Sequence, residues 1–209
     1  MQYFLKVYFA DLPENSVCDL PAVSSVRLKD IYGIRSRDVK REKVYVWKLL
    51  ENAIQKELQL DISDIFFFKD NFGKWSCNVC NFSLSHSGNL LAVALSDKSV
   101  GVDVQIFTPP KSRNFSKRIL DSVEFCEYGD LDPELSTDYL MSKWTQKEAI
   151  FKMIGGGAYI PSRIHTTRYN TYTDFFERNG SRYFFSVASE YDRRDISFVN
   201  PEFENELLL

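Results

Sequence analysis

Long apolar runs, a strong net charge and a dense set of cysteines are all missing from this chain, and each absence removes a class of function. No hydrophobic segment approaches the ~20 residues that span a bilayer. In the opening MQYFLKVYFADLPEN, Lys6 interrupts what would otherwise be a signal segment, so the start reads as an alternating strand stopped by Pro13. With 26 basic against 29 acidic residues the formal charge is −3, too little for a global field that recruits nucleic acid or an acidic membrane. Any anion site must be local. Cys18, Cys77, Cys80 and Cys126 are too few for a disulfide framework in 209 residues and fit a reducing cytosol, so cytoplasmic residence is expected. Cys77-x-x-Cys80 has no second Cys pair to complete a zinc site, and on a strand its sulfurs would point to opposite faces. It is therefore read as neither a metal nor a redox centre.

What is present is a composition 44% hydrophobic and 15% aromatic, enough for a core in one domain or in two small, closely packed ones. Asp38 can cap a helix running to about Leu58, with Val39, Val46, Leu50 and Ala53 on one side. Strands are expected at Ile65 to Lys69, Phe82 to Ser85, Leu90 to Leu95 and Val100 to Phe107, with Asn71-Phe72-Gly73-Lys74 as a turn. Pro109 and Pro110 break the last of these, and a short helix from Ser112 to Leu120 precedes an acidic stretch around Glu124, Glu127 and Asp130. A second long helix, capped by Thr137 or Asp138, carries Leu140, Trp144, Phe151 and Ile154 and ends at Gly155-Gly156-Gly157. Asn179-Gly180 joins Tyr172–Glu177 to Arg182–Ala188 as a hairpin. Strand, long helix and strands thus occur twice, with no strict repeat and no Gly/Ser-rich linker. The expectation is an α+β fold of two similar halves, residues 1–100 and 101–209, with the active site at their interface.

Three constellations can carry chemistry. In Val100-Gly101-Val102-Asp103-Val104-Gln105-Ile106 the apolar residues take one strand face, while Gly101, Asp103 and Gln105 take the other, where two side-chain oxygens can reach one cation. A solvated edge strand would look the same. Trp144, Glu148 and Lys152 repeat at i, i+4, i+8 on one helix side, so Glu148 can ligate a metal and Lys152 can meet a phosphate, or the two can form an ordinary surface pair. Ser83-Leu84-Ser85-His86-Ser87-Gly88 places a histidine among hydroxyls at a strand end, suited to an anionic oxygen or to ordering a turn. No Gly-x-Ser-x-Gly elbow supports a nucleophilic serine there. Arg35, Arg37, Lys40, Arg41 and Lys43 crowd the start of the first long helix against its dipole, a conflict that a bound anion would relieve, although a solvated basic turn fits equally well.

Taken in order, Gly73-Lys74, Phe82 to Ser87, Gly101-Val102-Asp103-Val104-Gln105 and Trp144 to Lys152 resemble the Sfp-type 4′-phosphopantetheinyl transferase family, from about Arg35 to Pro161. The resemblance implies a pseudo-twofold monomer that binds coenzyme A and magnesium between its halves. It implies transfer of 4′-phosphopantetheine to a serine of an acyl or peptidyl carrier protein of fatty-acid, polyketide or nonribosomal-peptide synthesis, without nucleic acid or membrane as partner. By it, Asp103 and Glu148 look like metal ligands and Lys152 like the pyrophosphate contact. Ser85 and His86 look like contacts to the 3′-phosphate, with Arg35, Lys40 and Arg41 as further candidates, and Gly73-Lys74 like an adenine-side contact. Glu124 best matches the family base, with Glu127 as the nearby competitor. Two departures stand out: Gln105 replaces the usual Glu of Gly-x-Asp-x-Glu, and Trp75 follows Gly73-Lys74 where proline is common. At 105 an amide oxygen can ligate magnesium directly or through water. A non-catalytic binding module on the same fold is the alternative that Gln105 suggests.

Overall fold

A computed structural model describes residues 4–13, 23–108 and 113–199. Cys18, Pro109, Pro110 and Ser112 lie outside them. The fold is α+β, with two helix-backed sheets packed face to face. The first sheet has the order β4 (Asn81–Ser87), β5 (Leu90–Ser96), β1 (Leu5–Asp11) and β9 (Ser197–Val199). β5 is antiparallel to both neighbours, and β9, from the far end of the described chain, joins β1 in parallel. The second sheet has the order β6 (Val100–Ile106), β8 (Ser181–Ser189), β7 (Thr171–Arg178) and is antiparallel throughout. The β7–β8 turn is made by Asn179 and Gly180, both at positive φ as a two-residue hairpin of this kind requires.

Period-two patterning explains the stacking. On β1, Tyr8 and Ala10 face the long helix α2 (Arg37–Leu58) together with Trp47, Leu50 and Ile54, whereas Leu5, Val7 and Phe9 face Val100, Val102, Val104, Phe185 and Val187 of the second sheet. β5 is buried along its whole length, as a strand covered on both faces must be. A second helix of equal length, α5 (Pro133–Ile154), covers the other face of the second sheet through Ala149 and Ile150. The layers therefore run α2, first sheet, second sheet, α5. A short helix α1 (Ser25–Ile31) precedes α2, and a two-stranded ribbon of β2 (Phe67–Lys69) and β3 (Trp75–Cys77) caps the first sheet. Helices α3 (Arg113–Ile119) and α4 (Ser122–Gly129) link β6 to α5.

Several local expectations need correction. Ser36, not Asp38, caps α2, its hydroxyl accepting from Val39 N at 3.4 Å, and Val39 is exposed. α5 starts a turn earlier than Thr137, behind Asp132 with Pro133 at the first helical position, where its missing N–H costs nothing. Asp138 instead accepts a bidentate pair from Arg182 at 3.0 and 2.8 Å. Ile154, placed on the apolar stripe, is exposed. The acidic stretch is helical: Asp121 and Glu124 close a capping box at the start of α4. The strand expected from Ile65 begins only at Phe67, after a single 3₁₀ turn at Ile62–Asp64.

The two sheets meet along β4 and β6 without a backbone ladder. Ser83, Ser85 and Ser87, on one face of β4, accept from the N–H groups of Val102, Val104 and Ile106 at 3.0, 3.2 and 2.9 Å. Hydroxyls thus satisfy the free edge of β6, whose other edge is paired with β8.

Candidate functional site

The face of β6 that carries Gly101, Asp103 and Gln105 is not solvated, because α5 lies across it. A Cβ on Gly101 would stand 1.9 Å from Ala149 O and 2.6 Å from Met153 N, so only glycine permits the approach. That approach brings Lys152 of α5 down onto Asp103, which is 1% exposed. Lys152 Nζ donates to Asp103 Oδ1 at 2.7 Å, to Ser85 Oγ at 3.0 Å and to Val102 O at 3.2 Å. Ser85 donates in turn to Asp103 Oδ1 at 2.9 Å, and the Gln105 amide donates to Oδ2 at 3.2 Å. One carboxylate is thereby held by residues from β4, β6 and α5.

Glu148, a turn before Lys152, is half-buried beside this cluster. Burial raises its pKa, the Asp103 charge raises it further, and Lys152 opposes both. Trp144 Nε1 reaches Glu148 Oε1 at 3.5 Å. The Tyr159 hydroxyl is buried against the same carboxylate and its pKa is pushed upward by that burial, yet it forms no hydrogen bond of ordinary geometry among the described residues. Asp103 and Glu148 are therefore close enough to repel, and Gln105 meets Asp103 through its amide nitrogen. Oxygen-only donors with two charges suit a small hard cation that keeps several waters. Among the described residues no group of three His, Cys, Asp or Glu forms a fuller cage.

Next to Lys152 lies a cleft of about 300 Å³ lined by Phe72, Gly73, Lys74, Phe82, Ser83 and the Gly155–Gly157 run. All three of those glycines have positive φ, and a Cβ on Gly155 would press on Lys74 Cδ at 3.1 Å. Lys74 Nζ donates to Met153 O at 3.1 Å, and burial lowers its pKa. A larger groove of about 950 Å³ lies elsewhere, around Cys77 and Cys80. Size does not select the site here; the converging charges beside the smaller cleft do.

His86 sits within β4 rather than in a loop, its Nδ1 3.5 Å from Glu42 Oε2 of α2. Burial lowers its pKa; Glu42 opposes this, while Lys152, Lys43 and Arg27 add to it. The basic start of α2 is thus brought near Lys152. Arg35 is exposed, Lys40 and Arg41 are partly buried, and Arg41 Nε is buried without a partner among the described residues.

Glu124 is not in this cluster. It is 4% exposed, with Oε2 2.5 Å from Lys147 Nζ and accepting Asp121 N at 3.0 Å, and with Oε1 accepting Thr166 Oγ1 at 3.1 Å. Lys147 is fully buried and also donates to Pro161 O at 3.2 Å. Neighbouring Glu127 is exposed and takes the Tyr139 hydroxyl. Sequence reasoning missed Lys147 and the serine ladder. The alternation of Ser83, Ser85 and Ser87 was the legible signal for the ladder, whereas nothing local marks Lys147 as buried.

Residues 99–200 match the family model of the 4′-phosphopantetheinyl transferase superfamily. The chain is 32% identical over 117 residues to 4′-phosphopantetheinyl transferase Sfp of Bacillus subtilis (strain 168), covering 54% of this chain and 51% of that one. It is 32% identical over 92 residues to 4′-phosphopantetheinyl transferase AcpT of Escherichia coli (strain K12), covering 43% and 47%. The chain spans about half the length of the curated relatives it matches. The resemblance carried by the motifs therefore holds. No helix among the described residues is long and apolar enough to cross a membrane.

Proposed function

We propose that this relative of the 4′-phosphopantetheinyl transferases moves 4′-phosphopantetheine from coenzyme A to a serine of an apo carrier protein, releasing adenosine 3′,5′-bisphosphate. The observation that carries this reading is the convergence of Asp103, Ser85, Lys152 and Glu148 beside the Gly73-Lys74 cleft.

Coenzyme A in this reading lies with its adenine toward Gly73-Lys74 and its 3′-phosphate toward His86 and the Arg35, Lys40 and Arg41 cluster, whereas the Ser85 hydroxyl, expected there too, is spent on Asp103, Lys152 and Val104 N. Lys152 turns from Asp103 to the pyrophosphate, a charge-assisted contact that stabilises the displacement at the β-phosphorus. Magnesium, held by Asp103 and Glu148 with Gln105 or water, would supply charge neutralisation on the pyrophosphate. Glu124 matches the family base, but both of its oxygens are committed to Lys147, Thr166 and Asp121. We therefore assign the serine proton to Glu148, which lies beside Lys152, and give Glu124 the positioning task of fixing α4 to α5. The protein acts as a cytoplasmic monomer, with no nucleic-acid or membrane partner.

The test is the mass of an apo carrier after incubation with the protein, coenzyme A and magnesium. A gain of one phosphopantetheine is expected with the parent, and none with Asp103→Ala of unchanged melting temperature. An unmodified carrier throughout a panel of fatty-acid, polyketide and peptide carriers would overturn the reading in favour of a binding module.

A further inference from the structure

The turn between β3 and β4 holds a second reactive cluster that shares no residue with the Asp103 site. Cys77 ends β3 and Cys80 immediately precedes β4, so the chain reverses between them. This corrects the expectation that the sulfurs point apart: they are not on one strand, and Cys77 Sγ lies 3.8 Å from Cys80 Sγ and 3.3 Å from Cys80 O. A disulfide bond of about 2.05 Å needs the sulfurs to close by less than a bond length and a half, in a turn flanked by a strand of only three residues.

Both thiols are free and partly exposed. They line the groove of about 950 Å³ together with Lys6, Glu57, Asp97 and Asp195. With three carboxylates against one ammonium, that groove favours a neutral or cationic reagent over an anionic one. The Cys80 thiol and the backbone N–H groups of Val79 and Cys80 lower the pKa of Cys77, while Cys80 itself is pushed upward by the same contact. The two sulfurs are thus unequal in the manner of an attacking and a resolving thiol.

We propose that Cys77 and Cys80 form a reversible dithiol–disulfide site that reacts with small cationic disulfides entering this groove. The Cys77 thiolate attacks one sulfur of the reagent RSSR, forming Cys77–S–S–R and expelling RS⁻. Cys80, its proton passed to solvent, then attacks Cys77 Sγ, forming the intramolecular bond and expelling the second RS⁻. Two electrons pass from the protein to the reagent, and the two thiol protons end on two RSH. The new bond would clip together β3 and β4, the strands that carry Trp75, beside Lys74, and the serine ladder.

The experiment uses cystamine, whose two ammonium groups match the groove. The protein is incubated at neutral pH, quenched in acid, alkylated in denaturant and mapped by peptide mass. The expected product has Cys77 and Cys80 joined to each other, unalkylated, free of cysteamine and restored by dithiothreitol. Cys80→Ser stops at a stable cysteamine adduct on Cys77. A cysteamine adduct that persists on Cys77 of the parent, or alkylation of both thiols after exposed Cys126 has reacted, would overturn the proposal. Either result is readable on the parent protein without any variant.

Discussion

Helix α5 meets two buried carboxylates, Glu124 chiefly through Lys147 and Asp103 through Lys152, and the two pairs differ in what they leave open. Lys147 and Glu124 are sealed: neither is more than 4% exposed, and every polar atom of the pair meets protein. Lys152 and Asp103 are nearly as close, at 2.7 Å, yet the Lys152 side chain remains 27% exposed and borders a cleft. Lys143 Nζ, 3.6 Å from Glu124 Oε1, adds a second ammonium to the sealed pair, which fixes geometry. A half-open pair can give up its lysine to an anionic ligand, and a cation can then take the lysine's place on the carboxylate. Residue type does not separate the two; access does.

Breaking the sealed pair gives the largest expected loss. Lys147→Met leaves the buried Glu124 carboxylate with the more distant Lys143, 3.6 Å away, and should cost up to about 3–5 kcal/mol, whereas Glu124→Leu with Lys147→Met removes both charges of the close pair and should recover most of it. Urea denaturation of the three proteins measures this. Equal losses in the single and double variants would mean that packing rather than charge is what Lys147 supplies.

The open pair exists only because α5 can lie on Gly101. Gly101→Ala drives a methyl group into Ala149 O, an overpacking worth about 1–3 kcal/mol, and displaces Lys152 and Glu148 together. Transfer should fall far more than melting does. Lys152→Met should cost less stability than Lys147→Met, because water can reach Asp103 once the ammonium is gone. If the two lysine variants lose the same stability, the distinction between open and sealed pairs collapses.

That distinction marks the limit of what could be read from the chain. Asp103, Glu148 and Lys152 were legible because period two and period 3.6 place each on a definite face, and a resemblance then joined them. The α+β class followed from the strand–helix–strand order. The burial of Lys147 was not legible: a lysine beside Glu148 on an amphipathic helix looks solvated, and only the docking of α4 and the Pro161 turn encloses it. The Cys77–Cys80 contact was misread because a strand was assumed where the chain turns. The cap of α2 moved from Asp38 to Ser36 because either residue satisfies the same local rule.

A third charged contact tests the site from the α2 side. His86 is held below its ordinary pKa by burial, so the folded state disfavours its proton. Below about pH 6.5 the unfolded chain binds that proton more readily. This part of the stability is therefore complete above that pH and is lost as pH falls toward the lower folded value. Urea midpoints should drop between about pH 7.5 and 5.5, and His86→Gln should flatten the slope. Adenosine 3′,5′-bisphosphate should protect the parent better at the lower pH, because a 3′-phosphate beside His86 favours the charged ring. Equal protection at both values would place the phosphate away from His86.

The smallest effect concerns Gln105, whose amide donates to Asp103 Oδ2 at 3.2 Å. Without metal, that bond contributes a little stability; in Gln105→Glu it becomes a repulsion between carboxylates on one strand face, worth up to about 1 kcal/mol at a partly exposed position. With magnesium the sign reverses, because the added charge becomes a ligand. Melting in chelator should therefore fall for the variant, and the rise on adding magnesium should exceed that of the parent. Turnover need not follow, since a third carboxylate binds the ground state as well as the transition state and also repels the pyrophosphate. The magnesium-dependent rise in melting is thus the informative quantity. An identical rise in the two proteins would put residue 105 outside the metal's reach and leave Asp103, Glu148 and water as the whole donor set of the open pair.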